Sequence, residues 1–301
     1  MLMRLGWLLT LYALAVVARA DIVVATSGAS TAADQLSQAF SQSSQISSPI
    51  KRWRFSVDDN EGGKEGGKEG GSDAQFSPAD IVVLAGCDAW SEFQRRQLPN
   101  RALVLWCPRA QLEAISPEPL LEMQRVDVLF PEPPLKRQFA LTRLLFPDEA
   151  VTIMLSRQAP EALRREIMAL SAEEGVTVFE QTEDMPLNYA LRRGLSGAGV
   201  LLGVADPALY NATNIKTILI SAYRQNIPLI GPHRAYIRAG AIATTYYSLS
   251  DLEAIVADWS KGTRVRGVAN HFSVQINEQV ARSLNLSLPS DLNALAQQLK
   301  R

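Results

Sequence analysis

Short runs of apolar residues alternate along this chain with segments in which apolar residues recur at helical spacing. Val200–Val204 is a continuous apolar run, and its length and flanks favour a strand buried on both faces. Residues 215–223 carry apolar side chains at helical spacing, and Ile227–Ile230 is a second short apolar run. A strand, a helix and a strand within about thirty residues are typical of a βαβ unit in a parallel sheet.

The same alternation is found along most of the chain. The other predicted strands include Ile22–Ala25, Ile81–Ala85, Ala102–Trp106, Val151–Leu155 and Val176–Phe179. Strands that alternate with helices predict an α/β fold. A connector containing Pro131, Pro133 and Pro134 separates two such series, and we interpret it as a hinge between two similar lobes.

Polar side chains that follow the predicted strands mark a candidate ligand site, because ligands of open parallel sheets bind at the carboxyl ends of strands. These candidate ligand-binding residues are Ser27, Ser30, Asp88, Asp206, Tyr210, Arg234 and Arg238. The two serines lie in the loop after the first strand, where hydroxyl groups are suited to hydrogen bonding a ligand.

For several of these residues the sequence leaves a structural role equally open. Asp206 fits a ligand contact or a turn before proline, and Asp88 fits a ligand contact or a helix cap. Tyr210 fits stacking on an aromatic ligand or packing against the following helix. Arg234 and Arg238 fit recognition of a carboxylate or ordinary surface positions.

Composition and motifs exclude several classes of protein. The chain has 301 residues with a formal net charge of −1, which argues for two domains and against a broad nucleic-acid surface. It lacks the glycine spacing of dinucleotide and phosphate loops, and it has two histidines. We therefore expect no cofactor, no metal site and no catalysis, and we expect a monomer.

The amino terminus has the pattern of an export signal. Met1–Ala20 combines Arg4, an apolar segment and an Ala-Arg-Ala exit, which predicts a cleaved signal peptide rather than an uncleaved anchor. The mature chain is then expected to begin at Asp21 and to be soluble in the periplasm.

Two cysteines lie at or just past the ends of predicted strands. Cys87 and Cys107 are candidates for a disulfide if their strands are neighbours in a parallel sheet. Two buried free thiols are the alternative that the sequence leaves open. Neither cysteine has a partner set that is typical of a metal site or of a nucleophile with its base.

Four regions together resemble the tryptophan/tyrosine-type substrate-binding proteins of ABC importers, a branch of the type I periplasmic binding protein fold. The regions are Pro134–Gln138 through Leu144–Pro147, Leu201–Tyr210, Ile227–Ile230 through Arg238–Ala243, and Phe272–Val274 with Asn277 and Val280–Leu284. The resemblance covers most of the mature chain and is strongest from about residue 127 onward.

The resemblance implies two lobes, each a parallel sheet flanked by helices. Lobe 1 would hold residues 21–145 and 241–301, with a flexible Gly/Lys/Glu insertion at 60–73, and lobe 2 would hold residues 146–240. The protein would capture a small molecule, such as an amino acid, between the lobes and present it to an ABC permease. Asp206 would pair with the ligand's ammonium group. A periplasmic sensor or interaction module that kept the fold without transport is the alternative, with a membrane sensor protein as its partner.

Overall fold

A computed structural model describes residues 20–55, 77–116, 123–289 and 291–300 of the chain. The predicted signal peptide, except for Ala20, and the Gly/Lys/Glu insertion at 60–73 lie outside the described residues. Within the described ranges, every helix is too short or too polar to cross a lipid bilayer.

The first sheet has six strands within the described residues, and all of its pairings are parallel. In the order in which they lie side by side, they are β11 (Arg266–Gly267), β5 (Val126–Leu129), β4 (Arg101–Leu105), β3 (Ile81–Ala85), β1 (Ile22–Thr26) and β2 (Ile50–Arg54). Helices α1 (Thr31–Gln42) and α9 (Leu249–Ser260) pack on one face, and α2 (Cys87–Arg95) and α3 (Arg109–Ile115) pack on the other. This unit is lobe 1.

The second sheet also has six strands within the described residues. In spatial order they are β12 (Ser273–Ile276), β10 (Ala243–Tyr246), β9 (Leu229–Ile230), β8 (Val200–Leu202), β6 (Val151–Ser156) and β7 (Thr177–Gln181). Only the edge strand β12 pairs in an antiparallel manner among these described strands. Its helices are α4 (Leu135–Leu145), α5 (Glu161–Glu174), α6 (Leu187–Gly194), α7 (Ile215–Tyr223), α8 (Ala235–Ala239), α10 (Glu278–Ser283) and α11 (Leu292–Gln298). This unit is lobe 2.

The apolar strands of lobe 1 are buried on both faces, which explains why their sequences are continuously apolar. In β3, Val82 and Leu84 pack in the cluster that contains Trp90 of α2. Val83, between them, packs in the cluster that contains Trp259 of α9. The period of two follows from the opposite directions of successive side chains along a strand.

The chain crosses between the lobes three times, at residues 130–134, 247–248 and 268–272. The predicted lobe limits were wrong in two places. Helix α4 packs on β8 and β10, so lobe 2 begins near residue 135 rather than at 146. The segment 241–301 is divided, because β10 and β12 pair in the second sheet whereas α9 and β11 belong to lobe 1.

Arg137 joins these crossovers at a single point. Its Nη2 donates to the carbonyl of Ala269 at 2.6 Å, and its guanidinium lies 3.9 Å from the centre of the Phe272 ring. The hydroxyl of Tyr247 in turn accepts from the backbone N–H of Ala269 at 3.2 Å. One cation therefore ties the first helix after the connector to both later crossovers.

Asp127 anchors the returning segment of lobe 1. Its fully buried carboxylate accepts hydrogen bonds from Trp259 Nε1 at 3.0 Å and from Arg264 Nε at 2.8 Å. It also accepts from the backbone N–H of Val265 at 2.8 Å. A buried carboxylate with three donors is satisfied, and it fixes where α9 ends and β11 begins.

Candidate functional site

A cavity of about 310 Å³ lies between the lobes, at the carboxyl ends of strands from both sheets. Lobe 1 contributes α3, the ends of β5 and β11, and the connector that follows β5. Lobe 2 contributes the loop after β8 and the first turns of α5. This is the place where open parallel sheets bind ligands, and we call the cavity the interlobe cavity.

Arg109 is the main cationic group on the lobe 1 side. It begins α3 directly after Pro108, whose fixed backbone suits the residue before a helix. Its guanidinium donates to Glu113 at 2.8 Å and to Glu166 of lobe 2 at 2.5 Å. Burial lowers the pKa of Arg109, but the hydrogen bonds to the two carboxylates outweigh it and raise the pKa.

Glu132 supplies a carboxylate from the connector. It is held between prolines, and its two oxygens accept from the backbone N–H of Arg109 at 3.3 and 3.4 Å. Burial raises the pKa of Glu132 above its ordinary value, and the hydrogen bond from Arg109 offsets part of that effect. A carboxylate that is desolvated without a full partner is suited to pair with a ligand cation.

The lobe 2 wall is formed by backbone at the end of β8. The amide of Gly203 donates to the carbonyl of Ile230 at 2.9 Å, and a Cβ at this glycine would lie 2.9 Å from that oxygen and from Pro232. A larger residue at 203 would therefore push the strand end away from β9. Apolar side chains, among them Phe130, Leu135 and Leu163, complete the lining.

The lining of the interlobe cavity is amphipathic and slightly acidic. Three carboxylates and two guanidiniums line it, namely those of Glu113, Glu132, Glu166, Arg109 and Arg266. Small-molecule sites combine an apolar surface with a few convergent polar groups in this way. The balance of charge favours a ligand that carries a positive group beside an apolar body.

Asp206 lies behind the cavity wall rather than in the lining. It is fully buried, and its carboxylate accepts from the backbone N–H of Ser156 at 2.6 Å and from its hydroxyl at 3.1 Å. It also accepts from the N–H of Ala208 at 3.1 Å, which is the bond of a turn-forming aspartate. The neighbouring Ala205 lines the cavity in its place.

Tyr210 is also buried, with its ring edge-on to Tyr236 at a centroid distance of 6.5 Å. Its hydroxyl lies near the backbone of Met154 but makes no hydrogen bond of normal geometry within the described residues. Burial, with the nearby Asp206 carboxylate, raises the pKa of Tyr210 well above its ordinary value. The tyrosine therefore packs inside lobe 2 and is absent from the lining of the interlobe cavity.

The three candidates nearest the amino terminus lie at the carboxyl ends of β1 and β3, outside the lining of the interlobe cavity. Ser30 caps α1 by accepting from the N–H of Ala33 at 3.3 Å. Ser27 is partly exposed in the loop before it, and Asp88 is exposed in the first turn of α2. The structure does not bring these side chains together with those of the cavity.

Cys87 and Cys107 form a disulfide, with 4.8 Å between their Cα atoms. β3 and β4, which precede them, are neighbours in the sheet, as this pairing requires. The bond joins the start of α2 to the loop that carries Arg109. It therefore restrains the lobe 1 side of the cavity.

The two candidate arginines after β9 differ in their surroundings. Arg234 lines a second cavity of about 240 Å³ between the lobes, together with His233 and Trp106. Arg238, one turn further along α8, is exposed and outside both cavities. Burial lowers the pKa of His233, so its neutral form is favoured.

Sequence reasoning did not select Arg109, Glu132 or Glu166. Arg109 follows a predicted strand, and that position was the available signal. Glu132 lies in the proline-rich connector, and Glu166 lies on a helix face that resembles any solvated surface. Within the described residues, no group of three or more His, Cys, Asp and Glu side chains is placed to hold a metal ion.

No protein family model and no curated protein matches this sequence. A ligand-free, open substrate-binding protein with adhesive properties from Clostridium difficile has a similar structure, with a TM-score of 0.63 and 14% identity, over 91% of this chain and 97% of that one. This chain has the same two-lobed fold. The likeness confirms the predicted α/β class and the type I periplasmic-binding-protein-like architecture.

Two further solved structures are similar over most of their length. One is a conserved domain protein from Vibrio cholerae, with 15% identity, 92% of this chain and 98% of that chain covered, and a TM-score of 0.49. The other is an ABC domain in complex with L-Trp from Streptococcus pneumonia, with 13% identity, the same coverage and the same TM-score.

Proposed function

We propose that this chain is an exported solute-binding protein that captures an amino acid or a related compound between its lobes. One observation carries the proposal: the interlobe cavity is lined by opposed carboxylates and guanidiniums above an apolar surface. Such a lining can hold the ammonium and carboxylate groups of a zwitterion at once. The residues described here serve binding, and we propose no catalytic step.

Glu132 is the proposed partner of the ligand's ammonium group. Its carboxylate lines the cavity and is partly buried, and the hydrogen bonds it accepts come from backbone N–H groups, among them that of Arg109. An ammonium group would restore the solvation that burial removes from the carboxylate. Closure of the lobes would exclude water and strengthen the pair.

Arg109 and Arg266 are the proposed partners of the ligand's carboxylate. Both residues line the cavity, Arg109 from α3 and Arg266 from β11, and Arg266 Nη1 also donates to the carbonyl of Met123 at 3.3 Å. Arg109 is already oriented by Glu113 and Glu166, so little side-chain freedom remains to be lost on binding. Asp206 positions the wall by holding Ser156 in place rather than by touching the ligand.

 A carrier in the periplasm would load its solute in the open form and present the closed form to an ABC permease in the membrane. Met1–Ala20 supports export by its charge and apolar pattern. The two lobes joined by three crossovers support closure about a hinge.

A thermal-shift screen of the purified protein against amino acids, small peptides, sugars and polyamines tests this function. A ligand at a hundredfold excess over its dissociation constant stabilises the native state by about 2.7 kcal/mol. For domains of this size that corresponds to a rise in Tm of roughly 5–10 °C. We expect a saturable shift with one or more amino acids.

Two variants make the screen specific for the cavity. Glu132→Gln should abolish the shift, because the carboxylate is replaced by a neutral amide of the same shape. Glu173→Gln is the matched control, since Glu173 is on the exposed part of α5 and outside the cavity. A panel without any shift, or a shift that survives Glu132→Gln, would contradict the proposal and favour a sensor or interaction module.

A further inference from the structure

The second cavity between the lobes lies on the other side of the first connector. Phe130 lines both cavities, Pro131 lines the second, and Glu132 lines the first. Consecutive residues of the connector thus line different cavities. The connector separates two cavities that have different chemistry.

The second cavity has no carboxylate in its lining, all of which the structure describes. Its polar groups are the guanidinium of Arg234, the imidazole of His233, the indole N–H of Trp106 and the hydroxyls of Tyr246 and Tyr247. The interlobe cavity, by contrast, has three carboxylates. The second cavity therefore favours an anion, where the first favours a positive group.

Arg234 is oriented for such an anion. Its guanidinium carbon lies 4.6 Å from the centre of the Tyr246 ring, and its Nε donates to Gln275 Oε1 at 3.2 Å. Within the described residues its two Nη groups make no hydrogen bond or ion pair, so the fork remains open to a carboxylate. The contact with the Tyr246 ring and the hydrogen bond to Gln275 fix the orientation of the guanidinium plane. A carboxylate that binds both Nη groups would therefore lie in that plane.

Aromatic surface surrounds this cation. Trp106, Tyr246 and Tyr247 all line the cavity. Trp106 has a backbone φ of +59°, a left-handed conformation that is uncommon for a residue with a large side chain. A strained residue at a strand end that lines a cavity is typical of a ligand site.

We propose that the second cavity binds a small planar aromatic carboxylate. Its carboxylate would meet the Arg234 fork, and its ring would lie against Trp106 and the tyrosines. The volume of about 240 Å³ suits a compound with a single ring and is below the range for drug-sized ligands. The site does not depend on which solute the interlobe cavity takes.

Benzoate is the probe, with benzamide as its neutral analogue of the same shape. Isothermal titration of the purified protein should give saturable binding of benzoate and at least about tenfold weaker binding of benzamide, since charge-assisted bonds to Arg234 are lost. This comparison needs no variant. Equal binding of both compounds, or no saturable binding of benzoate, would overturn the proposal.

Two arginine variants locate the binding. Arg234→Gln should weaken benzoate binding by about ten- to a hundredfold. Arg238→Gln, the same change one turn away on α8, should leave it unaltered, because that side chain is outside the cavity. Benzoate binding that is lost in Arg238→Gln, or unaltered in Arg234→Gln, would overturn the proposal.

The two cavities are distinguished by measuring the binding of each ligand to the variant of the other cavity. Benzoate binding should survive Glu132→Gln, whereas amino-acid binding should survive Arg234→Gln. Benzoate should also quench tryptophan fluorescence, and Trp106→Phe should remove that signal. Loss of benzoate binding in Glu132→Gln would assign the probe to the interlobe cavity and overturn the second site, without deciding the proposed function.

Discussion

Arg109 of lobe 1 and Glu166 of lobe 2 form an ion pair across the cleft, with 2.5 Å between Nη1 and Oε1. Both side chains are partly exposed, at 34% and 46%, so the pair is expected to contribute less than about 1 kcal/mol to stability. Its larger effect is on lobe separation, because the bond exists only while α3 and α5 are close.

Removing this pair should open the lobes without unfolding them. Glu166→Ala should raise the radius of gyration of the ligand-free protein in small-angle scattering, while the free energy of unfolding changes by less than about 1 kcal/mol. Glu173→Ala, on the same helix but paired with Lys136 inside lobe 2, is the control and should leave the radius unchanged. Equal radii for the two variants would refute the role of the pair.

Asp206→Ala should destabilise the protein by about 2–4 kcal/mol, because the buried N–H of Ser156 loses its acceptor. Ser156→Ala removes only the hydroxyl bond and should cost less, about 1 kcal/mol. Urea denaturation measures both values. If Asp206→Ala instead abolished ligand binding at unchanged stability, the carboxylate would be a ligand contact, as the family resemblance implied.

Arg137→Lys should weaken the junction of the crossovers. Lysine keeps the charge but loses the planar group that lies over Phe272 and reaches Ala269, and we expect a loss of about 1–2 kcal/mol in the free energy of unfolding. Arg143→Lys, on the same helix and over Phe139 at 5.1 Å, is the matched control. Denaturant unfolding should show a clearly smaller change for the control, and similar losses would argue against a special role for Arg137.

His233 should make stability fall as the pH is lowered below neutrality. Burial lowers the pKa of His233 in the folded protein from its ordinary value of 6.5. The unfolded chain therefore takes up a proton at a higher pH than the folded chain does, and stability falls as the pH drops below 6.5. Because the side chain is partly exposed to solvent, the loss is expected to be small.

The check is to compare the free energy of unfolding at pH 7.5 and at about pH 5.5. His233→Gln should show a smaller difference between the two conditions than the unaltered protein. Arg238→Gln, a neighbouring exposed change on α8 that removes no group titrating in this range, is the control and should keep the full difference. An unaltered pH dependence in His233→Gln would mean that other groups cause it.

The disulfide should stabilise the native protein by about 2–4 kcal/mol, mainly by restricting the unfolded chain. Replacing both Cys87 and Cys107 by alanine should lower stability by that amount, as measured by denaturant unfolding. The unaltered protein in reducing buffer should approach the same value. No difference between oxidised and reduced protein would indicate that the bond is absent in solution.

The sequence predicted the strands correctly where the pattern within a single segment is enough to show how that segment is buried. The predicted strand Ile81–Ala85 coincides with β3, and Val151–Leu155 lies within β6, because side chains buried on both faces must be apolar in a row. The short strand β11, Arg266–Gly267, has no such run. It pairs with β5 because α9, which precedes it, places it beside the edge of the sheet. The residues of β11 alone do not indicate this pairing.

The candidate site was harder to predict, because its residues converge only after both lobes are assembled. Arg109, Glu132 and Glu166 are far apart in sequence and are individually ordinary. Asp206 is a candidate because it follows a predicted strand, but at the same position its carboxylate accepts a hydrogen bond from the backbone N–H of Ser156. Position at a strand end predicts a polar role, whereas only the packing decides whether the partner is a ligand or the protein itself.

The late return of the chain to lobe 1 has a consequence for biosynthesis. Synthesis of β5 is complete at residue 129, whereas synthesis of α9 and β11 is complete only at residue 267. At synthesis rates of about 5–20 residues per second, the interval is on the order of ten seconds. During that time the nascent lobe exposes the apolar sheet face that Trp259 later covers, while every parallel strand of the second sheet is being made. A chaperone that holds the nascent chain would find its binding surface there.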